Sequence, residues 1–218
     1  MHQVQMKYTV IIPTMWKAVD QLTCMLQKYD ENPLIGEILI VQNAPNIPFS
    51  NNYKKVRFLN DGTNLFVNPS WNLGVREAKF DKVIIANDDI YIPEINSLLT
   101  LLDSSLRHGA IIGADANCFE QRRERPVNTM KVRQCEGKMG YGFGVFMVMH
   151  KKDYIQIPKE LRIWFGDTLI YKALDAYVFE AMIQTKMRTT SKTLSGSKIL
   201  WLAEKSYYNR NIKNIGNK

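Results

Sequence analysis

The triplet Asn87-Asp88-Asp89 directly follows the apolar run Val83 to Ala86. Adjacent carboxylates at the end of a buried strand are poor packing, because a charge is costly to remove from water. They are good ligands for a hard divalent cation, magnesium or manganese, which prefers oxygen donors. Such a cation neutralises the charge that develops on a departing diphosphate. Side chains alternate along a strand, so Asn87 and Asp89 are expected to share one face and Asp88 to point elsewhere. Asp89, with Asn87, is the expected metal ligand, and Asp88 the expected contact to a ribose or sugar. The plainer reading is a solvated turn, since Asp and Asn favour strand ends.

Another carboxylate, Asp167, stands apart in Trp164-Phe165-Gly166-Asp167. A carboxylate remote from the metal suits a general base that takes the proton of an attacking hydroxyl. Trp164 and Phe165, with Gly166, form an acceptor-side group: their rings can stack on a substrate and raise the pKa of Asp167 by desolvation. Asp167 also suits the cap of a following helix, and the two roles are compatible. Arg122, Arg123, Lys192 and Lys198 are candidate phosphate clamps. Among the three histidines, His150 is a weak third candidate for the metal.

These side chains need a scaffold. Residues 8–13, 37–41, 56–59, 82–86 and 110–113 read as short buried strands. Between them, Val19, Leu22, Met25, Leu26 and Tyr29 recur at helical spacing behind Thr14 as a cap. Asn68-Pro69 reads as a cap and first turn of a helix to residue 79, and Pro93 opens another. The alternation predicts a mostly parallel sheet covered by helices on both faces. Ligands bind beyond the carboxyl ends of such strands. Pro13-Thr14, Gln42-Asn43 and Asn87-Asp88-Asp89 all fall there.

Further on, the pattern predicts a strand over 145–149, a helix over 167–184 and a last strand over 187–190. A mobile Ser/Lys-rich loop follows over 191–198, placed to close over a ligand and exclude water. Trp201, Leu202, Tyr207 and Tyr208 are expected to anchor a closing helix. The glycines between Gly140 and Gly144 lack the Lys-Ser/Thr ending of a phosphate loop. They suit either a tight strand entry or a close approach to a substrate.

Composition narrows the class. The chain has 218 residues, of which 45% are hydrophobic and 23% charged, enough for one soluble domain. No apolar run reaches membrane-spanning length, and the start lacks the pattern of a secretory signal. The three cysteines lack metal-ligand spacing, so free thiols and a cytoplasmic location are expected. The net charge of +8 is concentrated: residues 186–218 carry eight basic and one acidic side chain, and residues 121–138 six basic and two acidic. Clustered positive charge suits an anionic partner such as nucleotide phosphates, nucleic acid or a membrane surface; a solvated tail is the alternative. Nothing in the sequence sets an oligomeric state.

The ordered segments VIIPT (10–14), ILIVQNA (38–44), NLFVNPSWNLGVREA (64–78), VIIANDDI (83–90) and IWFGDTLI (163–170) together resemble the family 2-type inverting glycosyltransferases. The resemblance implies a GT-A fold: a Rossmann-like, mostly parallel sheet flanked by helices, with an acceptor-side extension. It implies a nucleotide-sugar-binding half over 1–115, an acceptor-binding half over 116–190, and a basic C-terminal loop and helix over 191–218. By the same resemblance Pro13, Thr14 and Asn43 hold the nucleoside, and Asn72 and Gly74 match an N-x-G helix facing the donor. Asp89 holds manganese or magnesium, and Asp167 is the base of an inverting transfer to an acceptor hydroxyl. Two departures stand out: Asn43 occupies a position that is often acidic, and Asn87 removes one charge from the acidic motif. Trp71 and Gly74 also suit simple helix packing.

The expected acceptor is either a glycan or lipid-linked saccharide, or a hydroxymethylated (or already glycosylated) DNA base, as with phage enzymes. A base within a duplex must be flipped out. Two further classes remain, a nucleotidyltransferase and a non-catalytic nucleotide-sugar-binding module. The first usually carries a glycine-rich basic loop after the first strand, which IIPTMWKAV lacks.

Overall fold

The aliphatic runs form the strands that their periodicity predicts, and the strand ends gather the polar residues. In the computed structural model, which describes residues 7–45, 52–122, 124–185 and 198–215, the strands are β1 (Tyr8–Thr14), β2 (Ile35–Gln42), β3 (Val56–Leu59), β4 (Lys82–Ala86), β5 (Ile90–Tyr91), β6 (Ala110–Ala114), β7 (Val132–Gln134), β8 (Phe146–His150), β9 (Asp175–Phe179) and β10 (Gln184–Thr185). The helices are α1 (Val19–Glu31), α2 (Val67–Glu77), α3 (Ile95–Ser105), α4 (Gly166–Ala173) and α5 (Lys198–Asn211).

Eight strands form one sheet in the order β3-β2-β1-β4-β8-β6-β9-β7, and β5 pairs with β10 in a small second sheet. Strands β3, β2, β1 and β4 are parallel neighbours, as are β6 and β9. Strand β8 lies antiparallel between β4 and β6, and β7 is antiparallel to β9. This is a Rossmann-like, GT-A-type architecture with a mostly parallel central sheet.

Strand alternation divides the core in two. Val10, Ile12, Ile38, Ile40 and Ile84 face Leu22, Met25 and Leu26 of α1 and Leu98, Leu99 and Leu102 of α3. Ile11, Leu39, Val41, Val83 and Ile85 face Trp71 and Val75 of α2 and Leu169 and Ile170 of α4. Helix α2 lies very close to β1: a Cβ on Gly74 would sit 2.3 Å from Ile11 Cγ2. Packing therefore explains Gly74.

Three local expectations are corrected. Thr14 does not cap α1, whose N-cap is Ala18; its hydroxyl is engaged elsewhere, as described below. Asn68 is not the cap of α2: that position is Phe66 (φ 68°), whose N–H donates to Asn64 Oδ1 at 2.8 Å. Asn68 is instead buried in the first turn. The helix expected over 167–184 ends at Ala173, and Asp175–Phe179 is strand β9. Parallel pairing of Asp175 to Phe179 with the whole of β6 overrides the local helical pattern there. The expected strand over 187–190 and the loop over 191–197 lie outside the described residues.

Candidate active site

Parallel strands β1 and β4 end side by side, and their last residues meet. The Thr14 hydroxyl donates to Asp88 Oδ2 at 2.6 Å and accepts the Trp16 backbone N–H at 2.9 Å. Asn43, at the end of β2, donates its backbone N–H to Thr14 O at 2.8 Å. The first, second and fourth strand ends are thereby tied into one edge, the edge at which an α/β sheet binds its ligands.

Strand β4 stops at Ala86, and Asp88 and Asp89 occupy a turn before β5. Strand alternation therefore does not assign their faces. Asp88 is 8% exposed and Asp89 is 1% exposed, while Asn87 is half-buried. Burial pushes the Asp88 carboxyl up to about 6; the Thr14 bond opposes this and the neighbouring Asp89 adds to it. A nearby cation would reverse that shift.

The donor chemistry fits a hard cation: two adjacent carboxylates, with Asn87 next to them. Among the described residues no group of three or more His, Cys, Asp or Glu side chains is placed to hold a metal. A metal here would take its remaining ligands from water and substrate phosphates, the usual habit of magnesium. His150 is not part of this site. It pairs with Lys82, at the opposite end of β4 from Asp88 and Asp89, and its ring lies 3.8 Å from that of His108. Asp115, at the end of β6, is buried and ion-paired to Arg133, which also holds Glu180 at 2.9 Å. Part of the basic charge between residues 121 and 138 is consumed in this way.

A glycine turn links the acidic edge to Asp167. The Asn87 N–H donates to Val145 O at 2.9 Å. One residue earlier, a Cβ on Gly144 would lie 2.6 Å from Asp167 Oδ2. The Asp167 carboxyl thus packs against the bare Cα of Gly144. Its Oδ1 accepts the Thr168 N–H at 2.7 Å and the Thr168 hydroxyl at 3.3 Å. Desolvation raises its pKa, with the Thr168 bonds opposing. Asp167 lies in the first turn of α4, but the cap itself is Phe165, in the left-handed region at φ 63°.

Phe165 is held by α5. Its ring stacks on Tyr208 with centroids 4.6 Å apart and planes at 17°. Glu204 of the same helix is 0% exposed and accepts the N–H groups of Ile163 (3.2 Å) and Trp164 (2.8 Å). From the other side, Asn68 Nδ2 donates to Leu161 O and Trp164 O, and a Cβ on Gly166 would meet Asn68 Oδ1 at 2.3 Å. The segment that delivers Asp167 is thus fixed from both flanks. Sequence reading missed Glu204 and Asn68. The signal for Glu204 was present, as the one carboxylate in an otherwise basic tail.

Other sequence-derived candidates occupy varied places. Pro13 is half-buried beside Thr14. Asn43 spends its side chain on Ser70 (2.9 Å) and the Leu65 N–H (3.1 Å). Asn72 binds Ile157 O, Ile157 N and the Tyr154 hydroxyl, and so ties the 154–157 loop to α2. Arg122 is exposed, with its guanidinium 3.5 Å from the Tyr141 ring centroid. Lys198 is exposed at the start of α5. Arg123 and Lys192 lie outside the described residues. Among those described, no helix is long and apolar enough to cross a membrane.

No protein-family model matches the chain, and no curated protein matches its sequence significantly. Solved structures do resemble its fold. S. aureus TarS 1-349 in complex with UDP aligns with a TM-score of 0.61 at 17% identity, over 83% of this chain and 60% of that one. GalNAc-T7 with UDP, GalNAc and Mn2+ aligns with a TM-score of 0.61 at 9% identity, over 94% of this chain and 50% of that one. The mannosyltransferase PcManGT from Pyrobaculum calidifontis, in complex with GDP-Man and Mn2+, aligns with a TM-score of 0.54 at 12% identity, over 80% and 55%. This chain therefore spans about 60% or less of the length of these proteins. At such identities the likeness establishes a shared fold.

Proposed function

We propose that this protein is a metal-assisted glycosyltransferase that moves a sugar from a nucleotide-sugar donor to an acceptor hydroxyl with inversion. The observation that carries the reading is the meeting of Thr14 with Asp88 at 2.6 Å on the ligand-binding edge of the sheet. A buried acidic turn at the carboxyl edge of a mostly parallel sheet supports the reading, because ligands of α/β sheets bind at that edge. The structural neighbours seen with UDP, with GDP-Man or with Mn2+ support the same reading.

Asp88 and Asp89, with Asn87 beside them, would hold manganese or magnesium, which neutralises charge on the leaving diphosphate. Pro13 and Thr14 border the nucleoside pocket. Asn43 and Asn72 shape it through the loops they tie down. Asp167 accepts the proton of the attacking hydroxyl, and its raised pKa improves the match to that task at neutral pH. Trp164, Phe165 and Gly166 border the acceptor, whose hydroxyl belongs to a saccharide or to a modified DNA base. Arg122, Arg123, Lys192 and Lys198 supply positive charge for phosphates.

The test is a thermal-shift panel of nucleotide sugars with and without manganese, followed by assay of transfer from the donor that stabilises the fold. A donor that stabilises only with metal supports the reading. No stabilisation by any donor, with or without manganese, contradicts it.

A further inference from the structure

A cavity of ≈ 720 Å³ opens between α4, α5 and the loop that follows β7.

Phe165, Thr168, Tyr171 and Tyr208 line this cavity, together with the exposed Lys138 and Lys213. Lys172 also lines it, but its ammonium is spent on Lys213 O and Ile215 O, which fastens the residues after α5 to α4. The Tyr171 hydroxyl donates to Gly137 O at 3.1 Å and closes the back wall. Among the described residues no carboxylate lines the cavity. Thr168 connects it to the reaction centre, since the same residue lines the cavity and donates to Asp167 Oδ1.

We propose that this cavity is an acceptor subsite for a phosphorylated saccharide, with a sugar ring against the aromatic wall and its phosphoester between Lys138 and Lys213. The proposal rests on the glycosyltransferase reading and names its acceptor class. Aromatic side chains offer apolar faces with polar tips, which suits a sugar ring. Two exposed lysines lining one cavity suit a phosphoester. A nucleic-acid track needs charge spread along a backbone groove.

The full-length protein is titrated with glucose 6-phosphate, glucose and inorganic phosphate, in the presence of saturating UDP, GDP and dTDP. Glucose 6-phosphate is expected to bind about tenfold or more tightly than either fragment. The exposed pair Lys138→Glu and Lys213→Glu is expected to lose that advantage while the thermal unfolding midpoint is kept. Equal affinity for the three ligands, displacement by the nucleotides, insensitivity to the lysine changes, or tighter binding of a short single-stranded oligonucleotide would overturn the proposal. Nucleotide-sugar binding, measured separately on the same protein, reports on the glycosyltransferase reading alone, so the two failures are distinguishable.

Discussion

The Thr14 hydroxyl and the Asp88 carboxylate meet at 2.6 Å across 74 residues of sequence. This bond joins the first strand end to the acidic turn and offsets part of the penalty that burial places on the charged carboxyl. With a folded pKa of about 6 against an ordinary value near 3.8, Asp88 favours the folded state most at low pH. Its contribution is lost as pH rises from about 4 through about 6. Asp88→Asn should therefore stabilise the free protein at pH 7 by about 1–3 kcal/mol, read by thermal or denaturant unfolding, and should abolish stabilisation by manganese with nucleotide. An unchanged response to manganese would contradict the assignment.

Manganese itself should act in a pH-dependent way. Metal ligation requires the ionised carboxylate. The thermal shift caused by manganese with donor nucleotide should be larger at pH 7.5 than at pH 5, with its midpoint near the Asp88 value of about 6.

Gly144 leaves no room for a side chain beside Asp167. Gly144→Ala should displace the carboxylate and lower turnover about tenfold or more, with donor affinity retained. Equal turnover in the variant, measured by initial rates, would remove Gly144 from the account.

Asp167→Asn should lower turnover by about 10²–10⁴-fold without weakening donor binding. In the wild type the rate should rise with pH as Asp167 loses its proton, with a midpoint above the ordinary carboxylate range because burial raises its pKa. The pH–rate profile checks this directly.

Glu204 holds the Ile163 and Trp164 N–H groups from a fully buried position. Glu204→Ala leaves those donors without their acceptor and should cost about 1–3 kcal/mol of stability. Glu204→Gln retains an acceptor and should keep more of both stability and turnover.

The sheet was legible where local pattern and tertiary demand agree. Val56–Leu59 and Lys82–Ala86 are short, mostly apolar runs, each with one basic residue, that become strands over just those residues. Asp175–Phe179 was not legible, because pairing with β6 interrupts what reads locally as one helix. Asn68 looked like a cap, yet the Asn64–Phe66 turn starts α2 earlier and frees Asn68 to bind the 161–164 loop. The carboxylates of the candidate site could be picked out by residue type. Their supports, Gly144 and Glu204, act through contacts between segments far apart in sequence, which no local pattern encodes.

The central claim is that Asp88 and Asp89 bind a nucleoside diphosphate through a divalent cation. Calorimetric titration of UDP, GDP and dTDP, with and without manganese, into wild type and Asp89→Asn tests it most directly. At least one nucleotide is expected to bind about tenfold or more tightly with manganese, and Asp89→Asn is expected to remove the gain. Affinities that ignore the metal for all three, or a metal effect that survives in Asp89→Asn, would contradict it.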